Sequence, residues 1–177
     1  PLKVKVETIQ PRSTPAFGSV KTGANYAMAL GITLDAKEEL GIDQVLFAPD
    51  GDVQETGASN FLLLRDTHIL TKALDSSFLH GVTRDSILAL ARDMGYEVEE
   101  RDFTVDEMIE WADHGEAALS GTAAVLGGVG SMIVDGEEIT FGSGEVGPTT
   151  LELRQALTDL QLGRTDDAHG WTTVVQS

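Results

Sequence analysis

Strands interspersed with helices make this chain an α/β or α+β domain, and three observations predict it. Strand-length apolar runs recur at 2–8, Gln44–Phe47 and Asn60–Arg65. Stretches of helical periodicity, 22–40 and 83–94, lie between them. Turn residues punctuate the two kinds of segment, which is the pattern of neither a bundle nor a sandwich.

In chain order, residues 2–8 alternate as a strand. Residues 22–40 read as a helix with Ala27, Leu30, Leu34 and Ala36 on one side and Gly41 as its C-cap. Gln44–Phe47 is a short apolar strand closed by Pro49-Asp50-Gly51. Two β-rich runs, 60–65 and 68–74, flank Asp66-Thr67 as a hairpin. Residues 83–94 form an amphipathic helix, capped by Thr83, with Ile87, Leu88, Leu90 and Ala91 inward and Gly95 at its end. Residues 96–103 alternate as a strand. Thr104 then opens a helix to 113, with Glu107 three residues on as a capping box. Residues 116–134 are small, apolar and glycine-rich, as in buried strands with tight turns. Gly147-Pro148 starts a last helix to about 162, and the tail ends at Trp171 and a short apolar strand.

The chain has 177 residues, the size of one domain at roughly 100–200 residues each. Twelve Lys and Arg against 29 Asp and Glu give a formal charge of −17, which argues against nucleic-acid or anionic-membrane partners. The absence of cysteine excludes disulfides, zinc–thiolate sites and a cysteine nucleophile, and fits a reducing, cytoplasmic compartment. No metal site is read. No apolar run approaches the ~20 residues of a membrane span. Pro1 leads directly into a strand pattern, so the expectation is that a segment has been left off in front.

Four segments carry chemistry. Lys21-Thr22-Gly23-Ala24-Asn25-Tyr26 sets a lysine among small residues before a helix. Glu55-Thr56-Gly57-Ala58-Ser59-Asn60 puts a carboxylate at a strand entrance, where it is either a turn residue or a partner for a cationic ring nitrogen. His80-Gly81-Val82-Thr83-Arg84 opens a helix whose first N–H groups and Thr83 hydroxyl suit an anion. Ser120-Gly121-Thr122-Ala123 is either a tight strand crossing or a second anion-binding turn. Each is weak alone.

Their order and spacing together resemble the fold-type IV, pyridoxal-phosphate-dependent class IV aminotransferases, most of all the bacterial branched-chain amino acid aminotransferases. The tail, Leu157-Thr158-Asp159-Leu160 with His169-Gly170-Trp171, resembles the same group. The resemblance implies an α/β fold of α+β pseudo-barrel form, the C-terminal domain of the D-amino acid aminotransferase-like fold. Residues 1–177 would be that single cofactor-binding domain, with the family's smaller N-terminal domain absent.

It implies pyridoxal 5'-phosphate as cofactor and Lys21 as the catalytic lysine that bonds to it and shuttles a proton. Tyr26 matches the tyrosine on the cofactor's phenolate oxygen, and Glu55 the carboxylate facing its pyridine nitrogen. Val82 and Thr83 match the phosphate cup, and Thr122 a second phosphate hydroxyl. The N–H groups of Thr122 and Ala123 match the donors to the substrate α-carboxylate. Asn60 is read as a support of the turn, and Arg84 as a structural ion pair. The implied reaction moves an amino group between leucine, isoleucine or valine and 2-oxoglutarate, with amino acids and 2-oxo acids as partners and a homodimer as the assembly. D-amino acid transamination, aminodeoxychorismate lyase chemistry and a fragment incomplete without its N-terminal half remain open.

Departures from the family pattern are local. His80 stands where proline is usual and is read as tolerated variation. Pro15-Ala16-Phe17-Gly18-Ser19 and Gly128-Val129-Gly130 replace glycine- and proline-rich loops, with an expected effect on loop rigidity. The resemblance implies that a phosphate-binding arginine comes from the absent N-terminal domain, and no residue here is identified as its replacement.

Overall fold

A computed structural model describes residues 1–173 and 175. Among these residues there are thirteen elements, and most follow the predicted alternation. They are strand β1 (Leu2–Glu7), helix α1 (Gly23–Leu40), strand β2 (Gln44–Phe47), a 3-10 turn at Pro49–Gly51, and strands β3 (Asn60–Arg65) and β4 (His68–Thr71). Helix α2 (Val82–Asp93), strand β5 (Glu97–Glu100), helix α3 (Val105–Glu110), strands β6 (Glu116–Gly121), β7 (Val125–Val134) and β8 (Glu137–Thr140), and helix α4 (Pro148–Gln161) complete them.

The strands form one mixed sheet in the order β2-β1-β7-β6-β3-β4-β5. The two parallel edge pairs, β1–β2 and β4–β5, are the ones joined through helices, α1 and α2. Ten-residue β7 is the spine. Along one edge it lies parallel to β1. Along the other it pairs first with β6, through Val125–Val129, and then with β8, through Ser131–Val134. Gly128-Val129-Gly130 therefore lies inside a strand, not in a loop whose rigidity it would set.

Alternation along β3 explains why its apolar run is unbroken. Phe61 and Leu63 enter one core with β1, β6, β7 and α3, while Leu62 and Leu64 enter the other beneath α2 and α4. The sheet curls around the first core. Its two ends meet where Asp52, after β2, bridges Thr104, after β5, and Val53 N–H donates to Phe103 O at 3.2 Å. This near-closure is the predicted pseudo-barrel. Lys72, only 3% exposed, pins it by donating to Asp52 Oδ1 at 2.7 Å and Asp102 Oδ1 at 2.9 Å. Burial works against its charge, but those two acids outweigh it and hold the Lys72 pKa above its ordinary value.

Several local expectations change. Helix α1 docks through Asn25, Ala29, Ile32 and Ala36, a stripe of spacing i, i+4, i+7, i+11. Small alanines let it approach β2 closely, so Leu30 and Leu34, 55% and 54% exposed, and Ala27 point outward rather than into the core. The N-cap of α2 is Gly81, not Thr83, and no side chain caps it. At α3, Glu107 N–H donates to Thr104 Oγ1 at 3.2 Å, but the Glu107 carboxylate turns to Arg101, so the capping box is half formed. Strand β8 was not expected. The strand expected after Trp171 is not present at 171–173 or Val175, and Val174 lies outside the described residues.

Replacing Lys72 by Met removes the tie between the sheet's ends. The expected loss is about 1–2 kcal/mol, moderated by the solvent exposure of the aspartates, or roughly 3–6 °C in thermal midpoint. Thermal unfolding followed by circular dichroism measures it.

Candidate functional site

Glu55 enters the protein at the tight turn before β3 and is 1% exposed. Three groups hold its carboxylate. Leu79 N–H donates to Oε1 at 2.8 Å, and Asn60 Nδ2 donates to Oε2 at 3.1 Å. Arg12 Nη1 lies 2.8 Å from Oε1, although its N–H is not aligned for a hydrogen bond, so that contact is chiefly electrostatic. Arg12 is itself 1% exposed, donates through Nε to Gly57 O at 3.3 Å, and sits 5.4 Å from the centre of the Tyr26 ring. Burial dominates the titration of Glu55. It raises the pKa from 4.5 to about 7, against the opposing pull of Arg12 and the Leu79 N–H.

The N-terminus of α2 forms a second pole. With no side-chain cap, the first N–H groups of this twelve-residue helix are left for an acceptor outside it. Val82 and Thr83 head the helix, and Thr122 occupies the turn between β6 and β7. The segment before α2 is tightly tied. Asp75 accepts from Ser77 N at 2.7 Å, and His80 Nε2 donates to Asp75 O at 2.6 Å.

Lys21 is exposed at the end of a loop that Asn25 holds in place, donating through Nδ2 to Phe17 O at 2.8 Å and Val20 O at 2.9 Å. The same loop rests on the segment before α2. Gly18 N–H donates to Ser76 O at 2.9 Å, and a Cβ on Gly18 would collide with the Ser77 backbone.

These segments enclose a cavity of about 170 Å³, lined among others by Lys21, Tyr26, Glu55, Val82, Thr83 and Thr122. All six predicted cofactor residues thus share one cavity. Ala123 follows Thr122 in the same exposed turn but is not part of the lining. Asn60 and His80 also line it, while Arg84 is buried, donating to Lys72 O at 2.8 Å and Glu100 Oε2 at 2.9 Å. Sequence reasoning missed Arg12 and the anchoring role of Asn25. It also gave no part to Ser120, a cavity residue whose buried hydroxyl has no partner. No arginine lines the cavity among the described residues, and no acidic or histidine cluster is placed there to hold a metal ion.

Chemically, the cavity offers a buried carboxylate, an uncapped helix N-terminus with threonine hydroxyls, and a primary amine. A ligand with a ring nitrogen, a phosphate and an electrophilic carbon matches those three groups. Comparison with known proteins bears on the family. Residues 3–132 match the model of the family described as amino-transferase class IV. The chain belongs to the class IV aminotransferase family. Among curated members, it is 37% identical over 182 residues to a probable branched-chain-amino-acid aminotransferase of Staphylococcus aureus (strain N315), covering 99% of this chain and 51% of that protein. It is 36% identical to branched-chain-amino-acid aminotransferase 2 of Bacillus subtilis (strain 168), covering 99% and 50%. Among solved structures, the branched-chain amino acid aminotransferase of Thermobaculum terrenum, in its PLP-bound holo form, superposes with a TM-score of 0.78 at 30% identity, covering 93% of this chain and 52% of that one. The chain spans about half the length of the curated family members it matches.

Glu55 gives this site a pH signature. Its carboxyl binds a proton more tightly folded than unfolded, so its contribution to stability is complete below pH 4.5. That contribution falls as pH rises to about 7 and then levels off, a span of about 3 kcal/mol. Denaturant titrations from pH 4 to 8 measure this slope, and Glu55→Gln removes it.

Proposed function

We propose that this chain is the pyridoxal-phosphate-binding part of a branched-chain amino acid aminotransferase, which moves amino groups between leucine, isoleucine or valine and 2-oxoglutarate. The observation that carries the reading is the meeting of Lys21, Glu55 and the α2 N-terminus on one cavity. Support for the substrate class comes from the names of the curated family members and of the superposing structure. The second domain of such an enzyme lies outside these residues in this reading, and the working assembly is a homodimer in the cytoplasm. No helix among the described residues is long and apolar enough to cross a membrane.

The residues divide the work. When bound, the cofactor supplies an electrophilic carbon and a ring that absorbs the charge left by proton removal. Glu55, ionised, would pair with the ring nitrogen and keep it protonated; a cation brought to this carboxylate offsets the burial that otherwise favours its neutral form. The Tyr26 hydroxyl would donate to the ring oxygen, and the Arg12 guanidinium lies 5.4 Å from the centre of the Tyr26 ring, beside Glu55. The N–H groups of Val82 and Thr83, with the hydroxyls of Thr83 and Thr122, would hold the phosphate. The Thr122 and Ala123 N–H groups would hold the substrate carboxylate. With the cofactor in place, the Lys21 amine would hold it at rest and, once displaced by the substrate's amine, would carry the substrate's proton.

A second reading has its own observation. Because no arginine lines the cavity among the described residues, the chain by itself binds cofactor weakly and turns over only with a partner segment supplied in this second reading. A charge-assisted pair of that kind is worth ~1.5–3 kcal/mol.

Incubation with pyridoxal 5'-phosphate, borohydride reduction and peptide mass analysis is expected to place the adduct on Lys21. Lys21→Ala eliminates it and lowers transamination by roughly 10²–10⁴-fold. An adduct on another residue overturns the assignment. Activity confined to D-amino acids or to aminodeoxychorismate, measured with the partner half present, overturns the substrate class.

A further inference from the structure

Leu79 is held at both ends of its residue by the two sides of a single turn. Its N–H donates to Glu55 Oε1 at 2.8 Å, and its carbonyl accepts from Asn60 Nδ2 at 2.7 Å. The same Asn60 amide donates to Glu55 Oε2 at 3.1 Å. Glu55 and Asn60 face each other across a turn that is itself closed. Thr56 N–H donates to Ser59 O at 2.9 Å, Ser59 N–H donates to Thr56 Oγ1 at 3.0 Å, and Glu55 and Asn60 form a backbone bridge. Two residues beyond Leu79 stands Gly81, the N-cap of α2. Its φ of −72° and ψ of 129° suit any residue, so backbone conformation does not demand glycine there. Space does: a Cβ on Gly81 would collide with Asn60 Oδ1.

We propose that Asn60 is a positioning residue that, through Leu79 and its contact with Gly81, fixes the span between the Glu55 carboxylate and the N-terminus of α2. This rests on the reading of the cavity as a pyridoxal-phosphate site. A ligand that engages both poles at once gains affinity from a span set in advance, because the ordering cost is met during folding. A ligand that engages one pole gains little. The strut therefore distinguishes pyridoxal 5'-phosphate, which reaches both poles, from pyridoxal, which lacks the phosphate.

The test is a binding cycle on the full chain, read by absorbance titration and independent of turnover. Asn60→Ala is expected to weaken pyridoxal 5'-phosphate roughly tenfold or more and pyridoxal by less than about threefold. Gly81→Ala is expected to show the same selectivity in the wild-type background and to cost much less in the Asn60→Ala background, where its Cβ has room. Melting curves identify any variant that fails to fold; Asn60→Ser then stands in for Asn60→Ala, and Gly81→Ala alone still tests the selectivity. Equal weakening of both ligands, or equal cost of Gly81→Ala in both backgrounds, overturns the strut while leaving the site standing. Wild-type protein that takes up neither ligand even with the partner half supplied overturns the cofactor reading and the strut together.

Discussion

A carboxylate taken out of water and held by protein groups organises this molecule's site. Glu55 draws together the loop of Arg12, the turn into β3 and the segment leading to α2. Each of those segments brings a group to the cavity or its wall: a guanidinium beside the Tyr26 ring, a rigid strand entrance, an uncapped helix N-terminus. Burying a charge is costly, and its donors limit the cost without abolishing it, which is why the group titrates near neutrality. On the reading proposed above, an incoming protonated nitrogen would supply what the protein withholds from this carboxylate.

The sheet serves this arrangement by bringing remote segments to one place. Strand β3 is packed on both faces, so the turn at its entrance has little freedom. β6 pairs antiparallel with β3, opposing Ser120 to Asn60, and so delivers the Thr122 turn beside Glu55's turn. Closure of the sheet by the Lys72 ties keeps these strands in one curved layer.

Much of the fold was legible because its signals are local. Alternation, glycine ends and the Pro148 helix start each announce themselves within a few residues. The four motifs were legible for the same reason, since each is a short run of small or polar residues with its own shape. Arg12 was not, because it stands alone in a loop 43 positions from its partner and no periodicity links them. Strand β8 was not, because Glu-Glu-Ile-Thr has no apolar alternation and is held by the edge of β7. The orientation of α1 was misread because bulky apolar residues usually face inward, whereas here the close approach to β2 selects alanine. Thr83 was misplaced as a cap because a hydroxyl at a helix start fits both capping and ligand binding.

The cavity is built from segments near Arg12, Lys21, Glu55, Val82 and Thr122, which is most of the chain's length brought to one point. Such a site does not survive unfolding of any one of those segments. Occupancy is therefore linked to the unfolding of those segments, and a bound ligand protects distant strands and helices to the extent that they open together with them.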